Sequence, residues 1–227
     1  MKLKFVCVLA LALSSAACAK MQEIERVAPA QAQAAGGIGK TKTFIYEKAL
    51  VKNPAGASVV TVQVGITCAP RSEGVSRDSE YTEASTMLES AFKEEFEQAG
   101  YTVLATATAT MFTDKRDLAA DYRIGAVVTK PKMNVCLPMI GFGSTSGHGE
   151  ASMTVEWQVY SPSRQAVVYT SEQKGYAKID SSIAQPTRAL WRQAFGAAVR
   201  GLLADPGFQQ LVNSPSTPAP ASRARTN

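Results

Sequence analysis

The chain has 227 residues, 45% hydrophobic and 19% charged, enough for one domain with an ordinary buried core. Its formal charge of +5 is scattered along the sequence, which excludes the concentrated basic stripe of a nucleic-acid binder. Two of those charges, Lys2 and Lys4, fall in a segment expected to be removed, which leaves about +3.

Lys2 and Lys4 precede an apolar run from Phe5 to Leu13. That run is too short to span a hydrocarbon core, which takes ~20 residues. With the small residues Ser14 to Ala17 behind it, residues 1–17 read as a signal peptide. Two cleavages stay open. Ser15-Ala16-Ala17-Cys18 resembles the lipobox of bacterial lipoproteins, although Ser15 stands where that family usually has Leu. The resemblance implies that Cys18 is a lipid anchor, placing the protein on the outer membrane facing the periplasm. Ala17-Cys18-Ala19 instead fits ordinary signal peptidase and would release a soluble periplasmic or secreted protein starting at Lys20.

Residues 18–42 are expected to be a flexible tether, since Val27 to Gly37 holds Ala, Gln, Pro and Gly with no apolar period. One domain is expected over 43–212, followed by a disordered tail over 213–227 built from Ser, Thr, Pro, Ala and Arg. Thr43 to Leu50 reads as a first strand at a sheet edge, available for contacts. Ser58 to Thr67 reads as a second, rich in β-branched residues and bounded by Pro54 and Pro70. Ser79 to Ala99 switches to a helical period, with Ala84, Leu88, Ala91, Phe92 and Phe96 on one face and Gly100 as its cap. Tyr101 to Ala107 is extended again, and Tyr122 to Thr129 is a strong strand.

The stretch Met139 to Gly149 reads as a glycine-rich loop. Ala151 to Tyr160 alternates cleanly, and Ala166 to Thr170 pairs back on it, with Tyr176 to Ile179 extending that partner. Pro186 opens a last helix, with Leu190, Ala194, Phe195, Ala198, Leu202 and Leu203 as its core stripe. Asp205-Pro206-Gly207 stops it, and Phe208 to Val212 adds one more turn. The expected fold is α/β (α+β) in two layers: a mixed sheet of about five strands with two helices on one face.

Cys7 leaves with the leader, so Cys68 and Cys136 remain beside the anchor candidate. Both end apolar runs and both precede a proline by two residues. An even pair in an exported chain reads as a disulfide joining two strand ends at one rim of the sheet; two buried free thiols are the alternative. With no His or acidic residue nearby in sequence, they read as poor metal ligands, and no metal or cofactor is expected.

The segments Glu97-Gln98-Ala99-Gly100-Tyr101-Thr102-Val103 and Ala120-Asp121-Tyr122-Arg123-Ile124-Gly125-Ala126 resemble those of small α/β envelope lipoproteins. That group includes the curli-secretion channel lipoprotein, the penicillin-binding-protein activator lipoproteins and the N-terminal domain of the Tol-system propeller protein. The resemblance covers roughly Val59 to Leu203. Its motifs are structural, and it implies an accessory or assembly role without a substrate.

Chemistry-bearing motifs are sparse. His148 is the only histidine, and with Ser144, Ser146 and Glu150 it invites a triad reading. The loop lacks the rigid support and the Gly-x-Ser-x-Gly elbow that a triad needs. Gly141, Gly143, Ser144, Gly147 and His148 form a candidate ligand loop whose backbone N–H groups would cradle an anion. Gly39-Lys40-Thr41 imitates the end of a P-loop, but Ala34 stands where its first glycine belongs. Asp114, Asp117, Asp121, Glu150 and Glu156 show no spacing that sets two carboxylates across a substrate. The expectation is a non-enzymatic exported protein with other envelope proteins as partners. A protease-associated accessory or inhibitor-like domain, or a small-ligand-binding module, is the alternative.

Overall fold

The computed structural model describes residues 21–52, 57–75, 82–104, 120–138 and 146–215. The signal peptide, Cys18 and residues 216–227 of the tail lie outside the described residues.

Seven strands form one mixed sheet: β1 (Thr43–Lys52), β2 (Ser58–Val64), β3 (Ala69–Val75), β4 (Thr102–Val103), β5 (Tyr122–Leu137), β6 (Ser146–Ser161) and β7 (Ala166–Ala184). Three helices accompany it: α1 (Thr82–Gln98), α2 (Pro186–Ala204) and α3 (Pro206–Asn213), with a short 3-10 turn at Gly37–Thr41. The α/β class is as expected, but the sheet has seven strands where about five were expected, β3 being one that the sequence reading did not place, and α3 is a helix in its own right.

β5 organises the sheet. Along one edge it pairs antiparallel with β6 from Arg123↔Tyr160 to Cys136↔His148. The other edge is shared end to end. β1 runs parallel to Tyr122–Thr129, and β2 runs parallel to Met133–Leu137. Between the two halves, two residues of β5, Lys130 and Pro131, face one of β6, Met153, and Lys130 takes a left-handed φ of 49°. Pro131 has no N–H to donate, so it fits where a bulge interrupts the ladder. The strand expected over Tyr122 to Thr129 thus continues past this bulge to Leu137. β1 is flanked by β5 on one side and, at Thr43 and Phe44, by β4 on the other; among the described residues, the rest of β1 pairs with β5 alone. Among the described residues, the long outer edge belongs to β7, which pairs only with β6.

One sheet face carries the core. Phe44 and Tyr46 of β1, Ile124, Ala126 and Val128 of β5, and Val155, Trp157 and Val159 of β6 are all buried. Leu88, Phe92 and Phe96 of α1 and the full expected stripe of α2, Leu190 through Leu203, close over them. The rings interlock: Phe92 and Phe96 centroids are 4.1 Å apart, Tyr46 and Phe92 4.7 Å, and Trp157 and Phe195 5.4 Å. Alternation along strands and 3.6-residue spacing along helices put these side chains on facing surfaces.

Local signals end the helices. Gly100, at φ 87°, closes α1 with Tyr101 N–H bonded to Phe96 O and Gly100 N–H to Glu97 O, the reciprocal pair of a Schellman cap. Asp205 ends α2 and starts α3, because its carboxylate accepts from the N–H groups of Gly207 and Phe208 at 2.8 and 3.3 Å. The three residues read as a stop thus also serve as a start.

Two predictions arise from this packing. A Cβ on Gly175 of β7 would stand 1.9 Å from the carbonyl oxygen of Ala194, so α2 rests directly on that strand. Gly175→Ala should therefore force α2 outward and lower the unfolding free energy by about 1–3 kcal/mol, read from a urea titration; an unchanged midpoint would contradict the contact. Tyr46 presents the opposite case. Its hydroxyl is buried with no hydrogen-bond partner among the described residues, and burial pushes its pKa well up. Removing an unsatisfied group costs nothing in lost bonds, so Tyr46→Phe should leave stability unchanged or raise it by up to about 1 kcal/mol. A clear loss in the same titration would reveal a bond to this hydroxyl.

Candidate functional site

The chemistry-bearing residues converge on two places: a rim built by β2, β5 and β6, and the sheet face opposite the helices.

At the rim, the chain leaves β2 through Gly65, at φ 78°, and returns through Cys68, at φ 51°. Cys68 N–H closes the turn on Gly65 O at 3.0 Å, and Gly65 N–H reaches Leu137 O at 3.3 Å. The parallel register, Gln63↔Cys136, then places Cys68 over Cys136. The two are disulfide-bonded with Cα atoms 5.3 Å apart. The expected bond at one rim is present, although Cys68 lies in the turn and Pro70 belongs to the edge strand β3.

His148 is opposite Cys136 in the β5–β6 ladder. Its Nε2 lies 3.7 Å from Cys68 Sγ. This corrects the reading of two cysteines without a histidine companion: three potential donors sit within 4.8 Å of one another, brought together across 80 residues of sequence. While the sulfurs are bonded to each other they offer no thiolate to a metal.

The ligand loop is also revised. Gly147 and His148 belong to β6, where Gly147 pairs with Ile183 of β7 and His148 with Cys136 of β5. A Cβ on Gly147 would stand 2.2 Å from Cys136 O, and one on Gly149 2.1 Å from Asn134 O. These two glycines admit close approach of backbones. Gly141, Gly143 and Ser144 lie outside the described residues, as do Asp114 and Asp117. Glu156 is exposed on β6. Gly39-Lys40-Thr41 forms the 3-10 turn and precedes β1, not the helix that a phosphate loop would open.

The second place is the outer sheet face, and the sequence reading missed it. Residues 21–27, expected to be free spacer, cross the strands as a strap. Gln22 N–H donates to Asn134 Oδ1 at 3.2 Å while Asn134 Nδ2 donates to Gln22 O at 2.8 Å. Gln22 Nε2 reaches Ser58 Oγ at 3.1 Å, and Lys132 Nζ reaches Glu23 O at 3.1 Å. Glu25 pairs with Lys174 at 2.5 Å, and that hydrogen bond holds the Glu25 carboxyl below its ordinary value. Arg26 pairs with Glu150 at 3.1 Å, and Tyr176 donates to the same carboxylate at 3.2 Å. Glu25, Val27, Lys130, Lys132 and Lys174 enclose a cavity of about 60 Å³ under the strap. Further on, Ala35 is buried and its N–H bonds Ala99 O at 2.7 Å, while Gly39 N–H meets Asn213 Oδ1 at 3.3 Å. Residues 21–42 therefore belong to the fold. So does Asn213, which was assigned to the tail. The missed signal was polar: the adjacent charges Glu25 and Arg26 complement Lys174 and Glu150, which apolar periodicity does not register.

Asp121, the acidic residue of the Ala-Asp-Tyr segment, is structural. Its Oδ2 accepts from Thr43 N–H at 2.9 Å and Thr43 Oγ1 at 3.1 Å, and its Oδ1 lies 3.7 Å from Lys42 Nζ. This clamp sets the start of β1 against the start of β5, where Tyr122 stacks on Phe44 at 5.8 Å.

A cleft of about 370 Å³ lies among α1, α2 and β7. Its charges pair off: Glu94 with Arg192, Glu95 with Arg200, and Lys178 with Asp180. Burial pushes the Glu95 carboxyl up while Arg200 opposes it. Neither Cys nor His lines it. Trp157 is fully buried, and Trp191 is partly buried against the core. Among the described residues, no helix is long and apolar enough to cross a membrane.

No family model matches the chain, and no curated protein matches it. Similar solved structures do exist. A Xanthomonas campestris protein of family model DUF330 has 14% identity, covering 86% of this chain and 93% of its own, with a TM-score of 0.36. The PelC dodecamer of Paraburkholderia phytofirmans has 12% identity over 77% and 92%, with a TM-score of 0.36. A lipoprotein from Neisseria meningitidis has 9% identity over 76% and 99%, with a TM-score of 0.35. At these scores the likenesses define neither family nor function.

Proposed function

We propose that this chain is an exported envelope lipoprotein, anchored through Cys18, that acts as an accessory or assembly component through protein contacts. The observation that carries the reading is the leader, Lys2 to Ala17, ending on Cys18. A domain follows whose described polar clusters are structural. Asp121 clamps two strands, Glu150 holds the strap, and the cysteines near His148 are bonded to each other. The disulfide fits an oxidising compartment. For contacts, the free edge of β7 offers a row of unpaired backbone groups among the described residues, and Val167 on it is half exposed. Lys174, Lys178 and Glu172 punctuate that edge, a pattern that restrains indiscriminate strand pairing.

The test is photo-crosslinking in intact cells from position 167, with a buried position, Trp157, as control. Discrete adducts with envelope proteins from 167 alone are expected. An enzymatic turnover that the purified protein performs and that His148→Ala abolishes would contradict the reading.

A further inference from the structure

We infer that the lipid-anchored domain lies against the bilayer surface, with the strap-bearing sheet face toward the lipid headgroups, and does not reach away on a spacer. The inference rests on the lipoprotein reading above and gives it a partner surface and an orientation.

Chain length sets the orientation. A free tether of about 25 residues has a root-mean-square reach of about 27 Å, enough for a domain to turn any face to the membrane. Here the chain is already fixed at Gln22, four residues after Cys18. Four residues span at most ~14 Å. A domain of this size has a radius of gyration of about 16 Å, so the leash is shorter than the body it holds. The anchored end must leave the outer sheet face beside Ser58 and Asn134, and that side of the molecule is held next to the acyl chains.

The strap is fixed by its buried hydrogen bonds. Ion pairs at exposed positions hold little by themselves, and Glu25 and Arg26 are exposed. Asn134, by contrast, is only 3% exposed and exchanges two hydrogen bonds with the Gln22 backbone, as a neighbouring strand would. A buried amide deprived of both partners is costly, so this pair sets the strap's position. The exposed lysines Lys130 and Lys132 on the same side, with Lys132 donating to the strap carbonyl of Glu23, suit anionic headgroups. Ile66, in the turn that follows β2, is 90% exposed.

The experiment uses the lipidated protein purified from membranes and reconstituted in phosphatidylethanolamine–phosphatidylglycerol vesicles containing a headgroup-nitroxide lipid. A fluorophore is attached at Lys130→Cys, on the strap side, or at Arg188→Cys, exposed on α2. Quenching several-fold stronger at 130 than at 188 is expected. Inserting about fifteen Gly/Ser residues between Lys20 and Met21 should remove the difference. Hydrogen exchange should show the Gln22 amide protected, and Asn134→Ala should abolish that protection. Equal quenching at both positions in a protein whose mass shows lipid on Cys18 overturns the orientation and leaves the lipoprotein reading standing. A mass without lipid overturns both, while Gln22 exchange still decides whether the strap is bound.

Discussion

Phe44→Ala is expected to lower the unfolding free energy by about 3–5 kcal/mol. Phe44 is fully buried at the start of β1, and its ring meets four others: Phe96 at 5.3 Å, Tyr101 at 5.4 Å, Tyr122 at 5.8 Å and Phe208 at 6.2 Å. Those rings come from α1, the segment after it, β5 and α3, so no single element can relax into the vacated space. The residue is also the point at which β1, β4 and β5 are in register. Unfolding in urea, followed by Trp157 fluorescence, measures the change. A loss below about 1 kcal/mol would mean that the cluster collapses freely, contrary to the packing described.

Removal of the disulfide is the second large effect. Cys68 and Cys136 are 68 residues apart. In the loop-entropy model a closure of that length contributes about 4 kcal/mol, and measured values run lower. The double variant Cys68→Ser, Cys136→Ala should therefore lose about 2–4 kcal/mol. Reductant should reproduce most of that loss in the natural chain and change nothing in the variant. Equal melting temperatures with and without reductant would show that the bond is absent from the mature protein. The rim would loosen first, since Cys68 holds the β2–β3 turn over β5.

The reach of the sequence reading follows its physical signals. Helices α1 and α2 were legible with their buried stripes, because an apolar period of 3.6 residues and a Gly or Pro boundary accompany each. The core face of β6 was legible from strict alternation, Met153 to Val159. The disulfide was legible from parity and compartment. Pairing was not. Nothing local says that β1 and β2 share one edge of β5, or that Pro131 sits in a bulge instead of at an end. The ladder that sets His148 beside Cys68 depends on a hairpin whose glycine-rich centre looked like an open loop. The alternation of Met133 and Val135 with Ala151 and Met153 was the available hint. The strap was hidden for a different reason: apart from Gln22 to Ser58, its hydrogen bonds and ion pairs reach residues more than 100 positions away, and its composition reads as spacer.

The central claim, an envelope protein anchored at Cys18, is tested most directly by the intact mass of the mature chain purified from cell membranes. A mass corresponding to a start at Cys18 plus diacylglycerol and an amide-linked acyl chain is the predicted result. A mass corresponding to a start at Lys20 without lipid would contradict it.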